Sequence, residues 1–228
     1  QLYWQGCREK SLTLIKQAEQ SGYRAIVITV DAPHVGIRDR ERKLFFQLPE
    51  EMQHPHTPTH LSFPDVSPSE SQLFQGLMQI APKWADIAWV IANTHLPVIL
   101  KGILHPADAQ KALDHGVSGI IVSNHGGRIV DTTIPPLIAL QKIRAIVPPD
   151  YPVLLDGGIR RGTDVFKAIA LGANAVLIGR PYIYGLATAG ALGVAHVIRM
   201  LKEEFEITMA LMGTATIKDI NQDYIYQP

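Results

Sequence analysis

A single cysteine, Cys7, stands in a chain of 228 residues. This excludes a disulfide within the chain and fits a reducing, cytoplasmic setting. Net charge is also lacking: Lys+Arg and Asp+Glu each number 21, for a formal charge of zero. A chain so balanced has no general attraction for nucleic acid or an acidic membrane surface, so any positive charge that matters acts locally. No apolar run reaches the roughly 18–20 residues of a membrane span, and no span is expected. There is no secretory signal pattern, and the C-terminal Tyr226-Gln227-Pro228 is not a peroxisomal address. A starting methionine is absent too. The chain opens Gln1-Leu2-Tyr3-Trp4, an apolar-aromatic run typical of a domain interior, which leads us to expect that N-terminal sequence precedes it.

What is present reads as one globular domain over 1–228, with 46% hydrophobic and 18% charged residues. Residues 24–30, RAIVITV, form a β-branched run without alternation, as in a strand buried on both faces of a parallel sheet. Similar strands are predicted at 97–101, 118–123, 152–155 and 175–178. Helices are predicted at 11–22, 82–94, 106–115, 135–146, 163–171 and about 181–213, several opened by proline or closed by glycine. Residues 44–80, rich in Pro, His, Ser and Thr, read as a long lid-like loop. Its His54, His56 and His60 match no metal-site spacing, so a solvated loop is expected and no metal.

Strands alternating with helices give a parallel sheet, which a doubly wound fold or a barrel would satisfy. The barrel is favoured because polar and glycine-rich residues gather at the C-terminal end of strand after strand, the face that carries the active site in barrels. With Gln1–Tyr3 counted as a strand end, six β/α units are found, against the eight of a closed (β/α)8 TIM barrel. The fold class is therefore α/β, a TIM barrel of which about six C-terminal units are present.

Two loops carry the chemistry. In Asp156-Gly157-Gly158-Ile159-Arg160-Arg161-Gly162, paired glycines let the backbone approach a ligand, the next helix offers N–H groups to an anion, and arginines add charge. Gly179-Arg180-Pro181 repeats the device after the following strand. Two neighbouring strands with such ends read as a phosphate site rather than as two surface turns. In Ser123-Asn124-His125-Gly126-Gly127-Arg128, His125 is suited to removing a proton near neutral pH and Arg128 to holding a carboxylate. Lys101 and Asp31 end apolar strands. Lys101 requires an anionic partner, and Asp31 paired with His125 would stabilise an imidazolium.

These motifs resemble the FMN-dependent 2-hydroxy-acid oxidases and dehydrogenases, which include glycolate oxidase and lactate oxidase. QLY, TVDAP, LKGI, SNHGGR, DGGIRRGTD and IGRP occur in the family's order across the whole chain, apart from the variable loop near 44–80. The resemblance implies FMN as cofactor, with Gln1, Thr29 and Lys101 at the flavin ring and Ser123 on the ribityl side. It implies that Asp156, Gly157, Gly158, Arg160, Gly179 and Arg180 hold the ribityl chain and phosphate. It gives His125 the part of base with Asp31 as partner, and it places Tyr3, Arg38 and Arg128 on the substrate. It further implies oxidation of an L-2-hydroxy acid to the 2-oxo acid, electrons passing to oxygen or another acceptor, and a homotetramer or octamer for the full-length protein. Two departures stand out. The family's N-terminal units, with a further substrate-binding tyrosine, are absent, and Ile129-Val130-Asp131 replaces the frequent Gln-Leu-Asp. The alternatives are another flavin- or phosphate-binding barrel, such as an isomerase, and an inactive chain whose barrel never closes.

Overall fold

The computed structural model describes residues 1–45, 49, 66–67 and 69–226. The rest of the predicted lid, His54, His56 and His60 included, lies outside the described residues. Six parallel strands, β1 Leu2–Tyr3, β2 Ile26–Thr29, β3 Val98–Ile103, β4 Gly119–Val122, β5 Val153–Asp156 and β6 Ala175–Leu177, form one sheet in chain order. A doubly wound sheet reverses direction at a switch point. Here there is no reversal, as in a barrel wall.

Helices follow the strands: α1 Arg8–Gln20, α2 Asp39–Lys43, α3 Met78–Ile80, α4 Trp84–Ala92, α5 Pro106–Asp114, α6 Pro136–Arg144, α7 Gly162–Ala170 and α8 Arg180–Leu211. Proline opens α5, α6 and α8, where a missing N–H costs nothing. Two helical stretches depart from expectation. The five-residue α2, DRERK, has no apolar face and no buried residue. Within the predicted loop, Gln72–Leu77 forms a π-helical segment that runs into α3; the Ser71 hydroxyl starts it by accepting from the Phe74 N–H at 3.3 Å.

α8 corrects the expectation about apolar runs. An 18-residue window of it has mean hydropathy 1.3 with only 11% buried, so by length and composition alone it could cross a membrane. It is not one continuous rod, however. Ala189 (φ −147°, ψ 27°) and Gly190 (φ 58°, ψ −140°) break it. Across the break the backbones touch, since a Cβ on Gly185 would lie 2.6 Å from the Gly193 carbonyl oxygen.

Register assigns the two faces of the sheet. Side chains alternate along a strand, and the pairs Tyr3–Thr29, Thr29–Lys101, Lys101–Ile121, Ile121–Leu154 and Asp156–Leu177 fix one row after another. One face carries Ile26, Ile28, Val98, Leu100, Ile120, Val122, Val153 and Leu155, all buried beneath the helices in the main core. The other carries Val27, Ile99, Ile121 and Leu154 and then, at the C-terminal end, Tyr3, Thr29, Lys101 and Asp156, with Ser123 at the next inward position of β4. That concave end is where the site forms.

Candidate active site

Two connected hydrogen-bond groups occupy the C-terminal end of the sheet. In the first, Lys101 Nζ lies 2.8 Å from Asp156 Oδ2 and donates to Ser123 Oγ at 3.0 Å. Lys101 is 7% exposed and Ser123 fully buried, so the lysine expected to need an anion has one. Beside it, Gln1 Nε2 donates to Thr29 Oγ1 at 2.6 Å. Asp156 Oδ1 is buried without a hydrogen-bond partner.

In the second group, His125 Nδ1 lies 3.1 Å from Asp31 Oδ1, and His125 Nε2 lies 3.4 Å from the Tyr3 hydroxyl. A carboxylate only accepts, so Nδ1 carries the proton and Nε2 keeps its lone pair toward Tyr3 and the open face. The Asp31 and His125 side chains are 12% and 21% exposed. Asp31 sits close because β3 bulges at Gly102, whose φ of +107° suits glycine; a Cβ there would overlap the Asp31 side chain.

Backbone strain fixes the imidazole. His125 has φ 56°, a left-handed conformation that costs a non-glycine residue about 1–2 kcal/mol. Its N–H donates to Ser123 Oγ at 3.0 Å, and Asn124 Oδ1 accepts from Gly127 N–H at 3.2 Å. Ser123 Oγ therefore joins the two groups, accepting from Lys101 on one side and from the His125 backbone on the other. The Arg180 guanidinium reaches the Gly126 carbonyl from the next loop but one.

The two predicted substrate arginines also come together, by way of a residue that the sequence reading missed. Arg38 Nη1 donates to Glu41 Oε2 at 3.0 Å and Arg128 Nη2 to Glu41 Oε1 at 2.9 Å. These two guanidiniums hold the Glu41 carboxyl below its ordinary range. Among the described residues Arg38 Nε and Asp31 Oδ2, like Asp156 Oδ1, are buried polar atoms without partners. All three belong to residues of this site, where a ligand's polar groups would satisfy them.

One expectation for the phosphate loop needs correction. Three N–H groups at the entry to α7 are not free for an anion. Asp164 Oδ2 accepts from the N–H groups of Arg160 and Arg161 at 3.0 and 2.9 Å, and Glu204 Oε2 accepts from Gly162 N–H at 2.9 Å. Glu204 also pairs with the Arg161 guanidinium at 3.1 Å. The sequence carried a signal for the first of these, an acid three residues beyond the cap position. The remaining anion-binding groups are the Arg160 and Arg180 side chains and the open backbone at Gly158 and Gly179, where a Cβ would meet nothing within 4 Å. The start of α8 lacks a side-chain cap. Among the described residues no cluster of three or more His, Cys, Asp or Glu could hold a metal ion.

Known proteins resemble this chain in sequence and fold. The family model described as FMN-dependent dehydrogenase matches residues 1–227. An L-lactate oxidase of Alicycliphilus denitrificans is 47% identical over 98% of this chain and 62% of its own length. A peroxisomal (S)-2-hydroxyacid oxidase of Arabidopsis thaliana is also 47% identical, over 99% of this chain and 62% of its own. A crystal structure of mandelate oxidase with 3,3-difluoro-2-hydroxy-3-phenylpropionic acid superposes with a TM-score of 0.83 at 40% identity, covering 97% of this chain and 60% of that one. The chain thus spans about three fifths of the length of these relatives. A parallel sheet in barrel order and a family match over residues 1–227 lead to one assignment: the chain belongs to the FMN-dependent dehydrogenase family.

Proposed function

We propose that this protein oxidises an L-2-hydroxy acid of the lactate or glycolate class to the corresponding 2-oxo acid, with FMN as cofactor and oxygen or another acceptor taking the electrons. The observation that carries this is the row Asp31–His125–Tyr3, at 3.1 and 3.4 Å, set among the same loops as the arginines Arg38 and Arg128.

The residues present fit FMN. Asp156 Oδ1, buried and unpartnered, suits a ribityl hydroxyl. Gly157 and Gly158, with φ of 94° and 83°, keep the loop free of side chains beside it. Arg160, Gly179 and Arg180 would take the phosphate, while Gln1, Thr29, Lys101 and Ser123 would face the ring and upper ribityl chain. When bound, FMN supplies a two-electron acceptor.

The protein's own groups do the rest. Arg38 and Arg128 bind the substrate carboxylate with charge-assisted hydrogen bonds, which directs the hydroxyl toward Tyr3 and His125. His125 Nε2, held as the acceptor by the Nδ1–Asp31 contact, takes a proton from the substrate. Asp31 stabilises the imidazolium so formed. Lys101 would supply positive charge to the bound ring, and the Ser123 hydroxyl keeps the lysine in register with the histidine loop. The substrate would thereby lose one proton to His125 and its two electrons, with the remaining proton, to the bound FMN, which leaves the 2-oxo acid. We further propose a cytoplasmic location, consistent with the unpaired Cys7, and a homotetrameric or octameric assembly.

The test is anaerobic. Addition of an L-2-hydroxy acid to the FMN-loaded protein bleaches the flavin, and His125→Ala binds FMN but reduces it at less than about a thousandth of the rate. Absence of bleaching with lactate, glycolate and longer acids refutes the reading.

A further inference from the structure

Glu41 stands where a ligand's carboxylate is expected. Its two oxygens are divided between Arg38 and Arg128, at 3.0 and 2.9 Å, although Arg128 lies 87 positions away in sequence. A carboxylate between two guanidiniums is the arrangement that the proposed function assigns to the substrate. The contact is open to solvent, the Arg38, Glu41 and Arg128 side chains being 28%, 41% and 42% exposed, so a dissolved carboxylate can reach it. The support of Glu41 is slight. It sits on the five-residue α2, which buries nothing and has no side-chain cap. Arg128, by contrast, closes the strained histidine loop, and Arg38 Nε, buried without a partner among the described residues, leaves that guanidinium with a further donor for an incoming anion. Lowering of its pKa by the two guanidiniums keeps Glu41 charged at neutral pH.

We propose that Glu41 is an internal competitor for the carboxylate clamp: it occupies Arg38 and Arg128 in the free protein and is displaced when a substrate carboxylate binds. The inference rests on the clamp assignment made under the proposed function. Exchange of one carboxylate for another leaves the charge of the clamp unchanged, so the two arginines are never left together without an anion. The cost is affinity. Every ligand that enters through its carboxylate is weakened by the same factor, whereas a neutral analogue, which cannot replace an anion, is held out by Glu41.

The alternative arrangement is a buttress, in which Glu41 remains bound and orients the arginines beneath the substrate. The two differ in sign. Titration calorimetry of the FMN-loaded protein with pyruvate, a carboxylate probe that needs no turnover, separates them. Exposed charge pairs are each worth a factor of a few, so Glu41→Gln and Glu41→Ala are expected to bind pyruvate about three- to tenfold more tightly. In turnover, KM falls by a similar factor. Equal or weaker binding by both variants overturns the competitor role. Arg128→Met distinguishes failure of the underlying assignment: its loss of pyruvate affinity supports the clamp, and undiminished affinity removes the clamp and the inference together.

Discussion

Replacing Asp31 by asparagine tests how much of the chemistry depends on the charge behind His125. The amide keeps the size of the side chain and an oxygen that accepts from Nδ1, so the imidazole stays oriented and only the charge is removed. At 3.1 Å, and with an effective dielectric constant of about 20 for a partly exposed pair, a full imidazolium–carboxylate attraction is about 5 kcal/mol. In the transition state the proton has moved only part of the way, so roughly half of this, about 2–3 kcal/mol, is lost. That predicts flavin reduction slower by about 30- to 150-fold. The assay is anaerobic stopped-flow bleaching at saturating L-lactate, with pyruvate affinity measured alongside. Pyruvate affinity is expected to stay constant, because Arg38 and Arg128 are untouched. A reduction rate within threefold of the unmodified protein would show that the imidazole gains no charge in the slow step. Parallel loss of pyruvate affinity would mean instead that Asp31 shapes the site rather than stabilising charge.

Other expectations concern stability. Lys101→Met leaves the Asp156 carboxylate, only 17% exposed, without its ion-pair partner; a loss of about 3–5 kcal/mol in urea unfolding is expected, most of it recovered in Lys101→Met/Asp156→Asn. The Glu19 carboxyl is lowered to about 2, first by the hydrogen bond from Lys16 and then by that from Thr94. Its contribution is therefore present above pH 4.5 and lost as the pH falls toward 2, so Glu19→Gln should unfold more readily at neutral pH but no more readily than the unmodified protein near pH 2. Burial raises Tyr151 to about 12 from 10.0, while its hydroxyl donates to the Val117 carbonyl at 3.0 Å. The neutral phenol is favoured in the folded state, so stability falls as the pH rises from 10 to 12. Tyr151→Phe should cost about 1 kcal/mol at neutral pH and flatten that alkaline decline.

The sheet was legible in the sequence because each strand is short and apolar on both faces, which removes alternation from runs such as IVIT and GIIV. Helix starts were legible where proline marks them. α2 was not, because five charged residues without an apolar face carry no period. The helical stretch at 72–80 was hidden by its Pro-, His- and Ser-rich surroundings, and the break in α8 by reading through Gly185, Gly190 and Gly193, whose spacing marks a close backbone approach. The site follows the same division. His125, Asp31, Lys101 and Asp156 each stand at a strand end in a motif, where the type of residue is out of place unless it does chemistry. Glu41 stands in a run of charges, and only its contact with Arg128 sets it apart.

That contrast has a physical basis in the arrangement of the concave face. Val27, Ile99, Ile121 and Leu154 keep the face apolar, and among the described residues of β2 to β5 its polar side chains gather toward the C-terminal end: Thr29 and Lys101 stand level with Ile121 and Leu154, and Ser123 and Asp156 one inward position further on. Polar groups so confined need partners: Lys101 pairs with Asp156 and His125 with Asp31, and among the described residues Asp156 Oδ1 and Asp31 Oδ2 are left for a ligand. Ser123 Oγ accepts from Lys101 Nζ and from His125 N–H, both at 3.0 Å. One buried hydroxyl thus ties the spacing between Lys101 and His125, the proposed charge partner of the cofactor and the proposed base, to the spacing of two neighbouring strands, a distance the sheet itself holds constant. Loops outside that end of the sheet, α2 and its Glu41 above all, have no such constraint. They are free to exchange partners when a substrate carboxylate arrives.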